Sequence, residues 1–344
     1  MVQTENDPGA GSGTLLQVED LRVEFPTPSG AVEVVAGVSF DVRPGETVAV
    51  VGESGSGKSV TSLAVLGLLG PGRVASGTIT LRGEELTGAG RDRLRTLRGA
   101  EIAMIFQNPM SALDPLFSVG DQVVEAIRVH RPTTRAQARA RAVELLREVG
   151  LPDPERRMRS YPHELSGGQQ QRVGVAMALA CDPGLLIADE PTTALDVTVE
   201  AQILALMRRL QAEHGAALLL ITHDMSVVAR MADRVVVMYA GQVVERGRTD
   251  RVLAAPAHPY TRALITSVPT VDTGRDVPLP AIPGRVPNPS EIPAGCRFHP
   301  RCPEAVPRCR TEQPPVVGTP DGGESRCWLS DPAAELAGAA GATR

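Results

Sequence analysis

Gly52, Glu53, Ser54, Gly55, Ser56, Gly57, Lys58 and Ser59 satisfy the spacing G-x-x-x-x-G-K-[ST]. Glycines let successive backbone N–H groups turn inward. With a helix starting beside them, the segment as far as Val60 reads as a cradle for an anion. A helix end offers only about 0.3–1 kcal/mol per charge, too little for a triphosphate. A unit charge about 4 Å away adds roughly 4 kcal/mol at an effective dielectric near 20. Lys58 is the only lysine among 35 cationic side chains. Its compact ammonium fits among phosphate oxygens, where a guanidinium is wider and bidentate. A glycine-rich surface turn with a chance lysine is the plain alternative, and the strand and helix patterns on either side argue against it.

Two further stretches carry chemistry. LLIADE is an apolar strand ending in Asp189 and Glu190. Asp189 suits a Mg2+ held with the Ser59 hydroxyl, and Glu190 suits orienting or deprotonating a water. Acids at strand ends are also common in loops; beside a phosphate loop that alternative weakens. In LSGGQQQR, Ser166 and Gln169 fit a helix capping box. Capping does not account for Gly167 and Gly168, each costing up to about 1 kcal/mol in a helical turn relative to alanine. The pair predicts that another group approaches this backbone, with a phosphate bound to a second molecule as the economical candidate.

These residues need a scaffold. ETVAVVG before the glycine loop reads as a buried strand, and KSVTSLAVLGLL after it has helical spacing. Alternation at Leu16, Val18, Leu21, Val23 and Phe25 predicts a strand, SGTITLRG another, and EIAMIF a third. DQVVEAIRVH and TRAQARARAVELLREVG turn helical, and ALLLITH and ADRVVVMYAG supply later strands around a helix-like DMSVVARM. Strands alternating with helices predict an α/β fold with a mainly parallel sheet. The 344 residues, 42% apolar and 22% charged with a net charge of −5, describe a globular chain long enough for one large domain and an appendage. No basic stripe points to nucleic acid, and no apolar run approaches the roughly 20 residues of a membrane span. The N-terminus carries neither a basic start nor an apolar segment, which predicts a cytosolic chain without stable disulfides.

Taken together, these motifs resemble the ATP-binding subunit of an ABC transporter. The glycine loop and LLIADE are similar to Walker A and Walker B, and LSGGQ to the family signature. Gln107 in IFQNP is similar to the Q-loop, Asp196 in ALD to the D-loop, and His223 in LLLITHD to the switch histidine. The resemblance spans about residues 15–265. It implies a P-loop core with an antiparallel β subdomain and a helical subdomain at about 108–180. It also implies two cassettes closing head to tail, each ATP lying between one Walker A loop and the other chain's Ser166–Gln169 signature. His223 would contact the γ-phosphate, Gln107 would join Ser59 and Asp189 around Mg2+, and Gln107's loop would pass the movement to a membrane subunit. Phe25 matches the adenine-stacking aromatic by position, with core packing as the alternative.

NPMSALDPL and AHPYTRALITSVP narrow the resemblance to the oligopeptide, dipeptide and nickel importer branch; an amphipathic helix with a proline start is the plain reading of HPYTRALI. That branch implies a peptide importer subunit, with nickel or another solute as the alternative. Its partners would be a distinct homologous ATPase, two permease subunits and, indirectly, an extracytoplasmic solute-binding protein, at the cytoplasmic face of the membrane. A soluble ABC ATPase of translation or chromosome maintenance would be expected to carry two cassettes or a heptad insertion. Residues 266–331 form a proline-rich extension holding Cys296, Cys302, Cys309 and Cys327, and residues 1–14 and 332–344 read as disordered. Four cytosolic thiols suit zinc or an iron–sulfur cluster, or no ligand; the branch implies a [4Fe-4S] cluster, structural or redox-sensing. Cys181 reads as a buried small residue and His299 as a turn residue.

Overall fold

The computed structural model describes residues 13–108, 112–193, 195–268 and 281–331. The expected loose ends, apart from residues 13 and 14, lie outside these, as do residues 109–111 of NPMSALDPL and residue 194 of ALD.

Two sheets organise the chain. The first is antiparallel, in the order β2-β1-β4-β5, from β1 (Leu16–Thr27), β2 (Gly30–Val42), β4 (Arg73–Leu81) and β5 (Glu84–Glu85). The buried positions of β1 run 16, 18, 21, 23 rather than in strict alternation, and the pairing shows why. The register shifts between Val18 and Leu21 against β2 and between Glu19 and Arg22 against β4, and Asp20 takes φ 42°. This bulge moves the apolar side chains back to one face.

The second sheet has eight strands in the order β11-β12-β10-β9-β3-β8-β7-β6. Its parallel heart is β9 (Arg234–Tyr239), β3 (Thr47–Val51), β8 (Ala217–Thr222), β7 (Leu185–Asp189) and β6 (Ile102–Ile105). Every residue of β3, β7 and β8 is buried, because helices and the first sheet cover both faces, so these strands are continuous apolar runs. Across the sheet, β10 (Gln242–Arg248) pairs antiparallel with β9. Then β12 (Glu324–Ser325) and β11 (Val317–Gly318) complete that edge. The C-terminal residues thus extend the main sheet rather than forming a separate body.

Helices Val119–His130, Arg135–Glu148 and Gly167–Ala178 share one core with β6 and β7, through Val123, Ile127, Ala142, Leu146 and Val173. Thr134 and Gln137 form a full capping box at the second of them.

HPYTRALI forms helix Pro259–Thr266, with proline in its first turn and His258 as N-cap, its Nδ1 accepting from the Tyr260 N–H at 3.0 Å. Burial, reinforced by the Arg262 charge, pushes His258 from 6.5 down to about 3. Below pH 6.5 the unfolded chain therefore binds a proton that the native chain refuses. This contribution to stability is complete above pH 6.5 and is lost as pH falls towards 3, at about 1.4 kcal/mol per pH unit. Denaturant unfolding at pH 7.5 and 5.5 checks it: wild type should lose about 1.4 kcal/mol more than His258→Asn, which keeps a capping oxygen.

Candidate functional site

The carboxyl ends of β3, β6, β7 and β8 meet in one crevice, where open parallel sheets hold ligands. After β3 the chain turns through the glycine loop into helix Lys58–Val65. Gly52 has φ +153°, and a Cβ there would lie 2.2 Å from the Met238 carbonyl oxygen. Gly57 caps the helix at φ +96°, with the Val34 carbonyl 3.1 Å from its would-be Cβ. Glycine is required at both positions because the backbone is left-handed and another chain segment leaves no room.

Lys58 is 5% exposed, and its Nζ donates to the carbonyls of Gly52 at 2.7 Å and Glu53 at 3.0 Å. Burial lowers its pKa, and Glu190, Asp189 and Glu53 offset part of that. Ser59 Oγ donates to Asp189 Oδ1 at 3.1 Å. Burial raises the pKa of Asp189, against the Ser59 hydrogen bond and Lys58. A hydroxyl and a desolvated carboxylate touching in this way fit a shared Mg2+.

Glu190 takes φ 44°, which non-glycine residues seldom adopt; its N–H donates to the Ile221 carbonyl at 2.8 Å. Its carboxylate accepts from Gln107 Nε2 at 3.0 Å and Thr193 Oγ1 at 2.8 Å, and lies 3.3 Å from His223 Nδ1. Burial works to raise its pKa. Thr193, His223 and Lys58 outweigh that and leave it below the ordinary value, so the group is ionised at neutral pH.

A cavity of about 820 Å³ opens over these residues, lined by Ser54 to Val60, Gln107, Glu190, Val34 and a run of the C-terminal chain at 285–291. Lys58, Ser59, Gln107 and Glu190 line it, and Asp189 and His223 join them through contacts with Ser59 and Glu190. It does not gather Ser166, Gly167, Gly168 and Gln169, nor Asp196 or Phe25; none of these lines the cavity. Ser166 and Gln169 form the expected capping box. A Cβ on Gly168 would meet Val199 Cγ1 at 2.6 Å, whereas Gly167 has only Leu195 at 3.8 Å. One of the two glycines therefore also has a packing reason within its own chain. Asp196 caps helix Val197–His214, accepting from the N–H groups of Thr198 and Val199. Phe25 packs on the core, 2.7 Å from where a Gly72 Cβ would stand.

Contacts from distant parts of the chain were not visible in the sequence. The Glu53 N–H donates to Tyr260 Oη at 2.8 Å, and its carboxylate receives both Arg301 terminal nitrogens at 2.7 and 3.0 Å. HPY marked Tyr260 as a match to a branch motif; nothing marked Arg301, 248 residues from its partner.

The comparisons with known proteins agree with this geometry. Residues 35–193 match the ABC transporter family model, and residues 244–309 match the oligopeptide/dipeptide transporter C-terminal region. Oligopeptide transport ATP-binding protein AppD of Bacillus subtilis is 48% identical over 92% of this chain and 97% of its own. The chain belongs to the ABC transporter family. It is an ATPase of that family. Dipeptide transport ATP-binding protein DppD of Escherichia coli is 49% identical over 91% of this chain and 96% of its own. Among solved structures, the dimeric ATP-binding cassette MJ0796 in a post-hydrolysis state with ADP and Pi superposes with a TM-score of 0.62 at 28% identity. That match covers 68% of this chain and 99% of the cassette, so about a third of this ABC ATPase has no counterpart there. Among the described residues no helix is long and apolar enough to cross a membrane.

The metal expected at the cysteines is not supported. Cys296, Cys302, Cys309 and Cys327 are free thiols near enough to feel one another's charge. Among the described residues, however, no three His, Cys, Asp or Glu are arranged to hold a metal ion. Burial, followed by the neighbouring thiols, pushes Cys302 and Cys327 up to about 11. The arrangement therefore gives no support to a [4Fe-4S] cluster or to zinc at these thiols. Iron, sulfide and zinc analysis of protein purified without oxygen checks this, and four irons per chain would reverse it. His299 is a turn residue, its Nδ1 2.9 Å from the Cys296 carbonyl oxygen, and Cys181 is buried.

Proposed function

We propose that this ATPase energises import of di- or oligopeptides through a membrane permease. The observation that carries the reading is the Lys58, Ser59, Asp189, Glu190, Gln107 and His223 constellation at one end of an 820 Å³ crevice. The peptide branch rests on the relatives, which are oligopeptide and dipeptide transport proteins along nearly their whole length.

In this reading residues 52–60 with Lys58 bind the phosphates, and Ser59, Asp189 and Gln107 would hold Mg2+, which would supply charge neutralisation there. Glu190, ionised and held by Thr193, Gln107 and His223, orients the attacking water and takes its proton. The signature Ser166 to Gln169 lies outside its own chain's crevice. A second cassette bound head to tail would bring its copy over this ATP, with Asp196 near that seam. The domain plan is an ATPase domain at 15–265 with its helical subdomain at about 108–180, and an extension at 266–331.

An apolar cleft of about 280 Å³ lies between β6 and helix Gly167–Ala178, lined by Leu66, Met104, Phe106, Leu113 and Met177. It adjoins Gln107, and exposed Leu116 and Phe117 follow. This cleft would receive a permease segment at the cytoplasmic face of the membrane and transmit the state of the nucleotide site. A distinct homologous ATPase, two permeases and a solute-binding protein complete the assembly.

The test is reconstitution with co-purified membrane partners in vesicles: peptide should stimulate ATP turnover and accumulate inside. Stimulation by another solute class, with none by peptides, would overturn the substrate assignment. Ser166→Arg checks the head-to-tail arrangement. ATP affinity of the variant chain should be unchanged, while turnover at the partner's site falls about tenfold. That is the loss of about 1.4 kcal/mol from one hydrogen bond and part of a helix end.

A further inference from the structure

The far wall of the nucleotide crevice comes from the C-terminal extension. Lys58, Ser59, Gln107 and Glu190 mark where the phosphates lie, and the remaining lining outside the glycine loop is Val34 and residues 285–291. Val286, Pro287 and Pro289 present apolar groups there, and Arg285, Asn288 and the Glu291 carboxylate present polar ones, a mixture that suits a heterocyclic base and ribose hydroxyls.

This wall is tied to the phosphate loop at one point. The Arg301 side chain is 5% exposed and makes a bidentate pair with Glu53. Its Nε donates to the Pro283 carbonyl at 2.7 Å, a terminal nitrogen donates to the Ile282 carbonyl at 3.3 Å, and the guanidinium lies 5.7 Å from the centre of the Tyr239 ring. Tyr260 holds the Glu53 N–H from the same side and packs against Tyr239 and Phe298 with ring centres 4.7 and 5.3 Å away. One buried side chain thus fastens the second residue of the glycine loop to the stretch that enters the wall. A planar fork with five donors suits this; an ammonium does not.

We propose that residues 285–291 form the side of the nucleotide pocket that faces ribose and base, and that Arg301 is the positioning residue joining this wall to the phosphate loop. This rests on the chain being an ATPase, and wild-type binding of ATP is the separate check of that premise. The experiment titrates the full-length chain, with Mg2+, against ATP and against inorganic tripolyphosphate, which has no base or ribose. Pro287→Gly/Pro289→Gly should weaken ATP about fivefold by loosening a pre-formed wall, and leave tripolyphosphate at its wild-type affinity. Arg301→Ala should weaken both ligands, because the loop itself is released, and Arg301→Lys should recover only part of the loss. Thermal unfolding reports whether each variant folds; should Arg301→Ala not fold, Glu53→Gln removes the charge pair from the loop side. An unchanged ratio of the two affinities in the proline variant overturns the wall. Unchanged affinities in the Arg301 and Glu53 variants overturn the link.

Discussion

Lys58→Ala should reduce ATP affinity by about a thousandfold and turnover to background. The ammonium belongs to the glycine loop itself, 5% exposed and donating to the Gly52 and Glu53 carbonyls. At about 4 Å and an effective dielectric near 20 its attraction for a phosphate is about 4 kcal/mol, or three powers of ten. Stability should move the other way or not at all. Burial already lowers the pKa of Lys58, so an apolar residue of similar length, as in Lys58→Met, removes a desolvated charge at little cost to the fold. Lys58→Arg separates charge from shape: a bidentate fork in place of a point charge should leave affinity at least tenfold down. Nucleotide titration beside thermal unfolding measures both. Wild-type affinity in Lys58→Ala would remove the basis for reading the loop as a phosphate site.

Glu190→Gln should lower turnover of the assembled transporter by about 10²- to 10⁴-fold, the usual worth of a positioned general base, with ATP affinity close to wild type. The amide keeps the size of the side chain and its contact with Thr193 but cannot take a proton. Glu190 sits below the ordinary glutamate range despite burial, because Thr193, His223 and Lys58 together favour the carboxylate. Activity should therefore persist as pH falls through the ordinary glutamate range. His223→Ala removes one of those supports and should shift the acid limb of the pH profile upward. Steady-state turnover and single-turnover hydrolysis across pH check both. Retained hydrolysis in Glu190→Gln would transfer the base to another group.

Much of the crevice was legible because its chemistry is local. A phosphate cradle needs glycines, a lysine and a helix start within eight residues of chain, and the buried parallel strands that end in it are unbroken apolar runs. Asp189, Glu190 and His223 were found because each stands at or just past the end of such a run. The four cysteines show the opposite. The branch resemblance implied a cluster at these thiols, but ligation depends on where thiols point, and among the described residues no three are arranged to hold a metal ion. Gly168 likewise suggested an outside phosphate, and the structure adds a Val199 side chain from the next helix.

The order of small residues, acids and one lysine along the chain determined the fold class, the phosphate loop and the residues that surround the reacting phosphate. Only the tertiary structure decided that the proline-rich chain returns to wall the crevice and that Arg301 and Tyr260 grip Glu53. The physical reason is range. Backbone geometry and apolar periodicity are set by neighbours a few residues apart, whereas a contact across 248 residues depends on packing that no short stretch encodes.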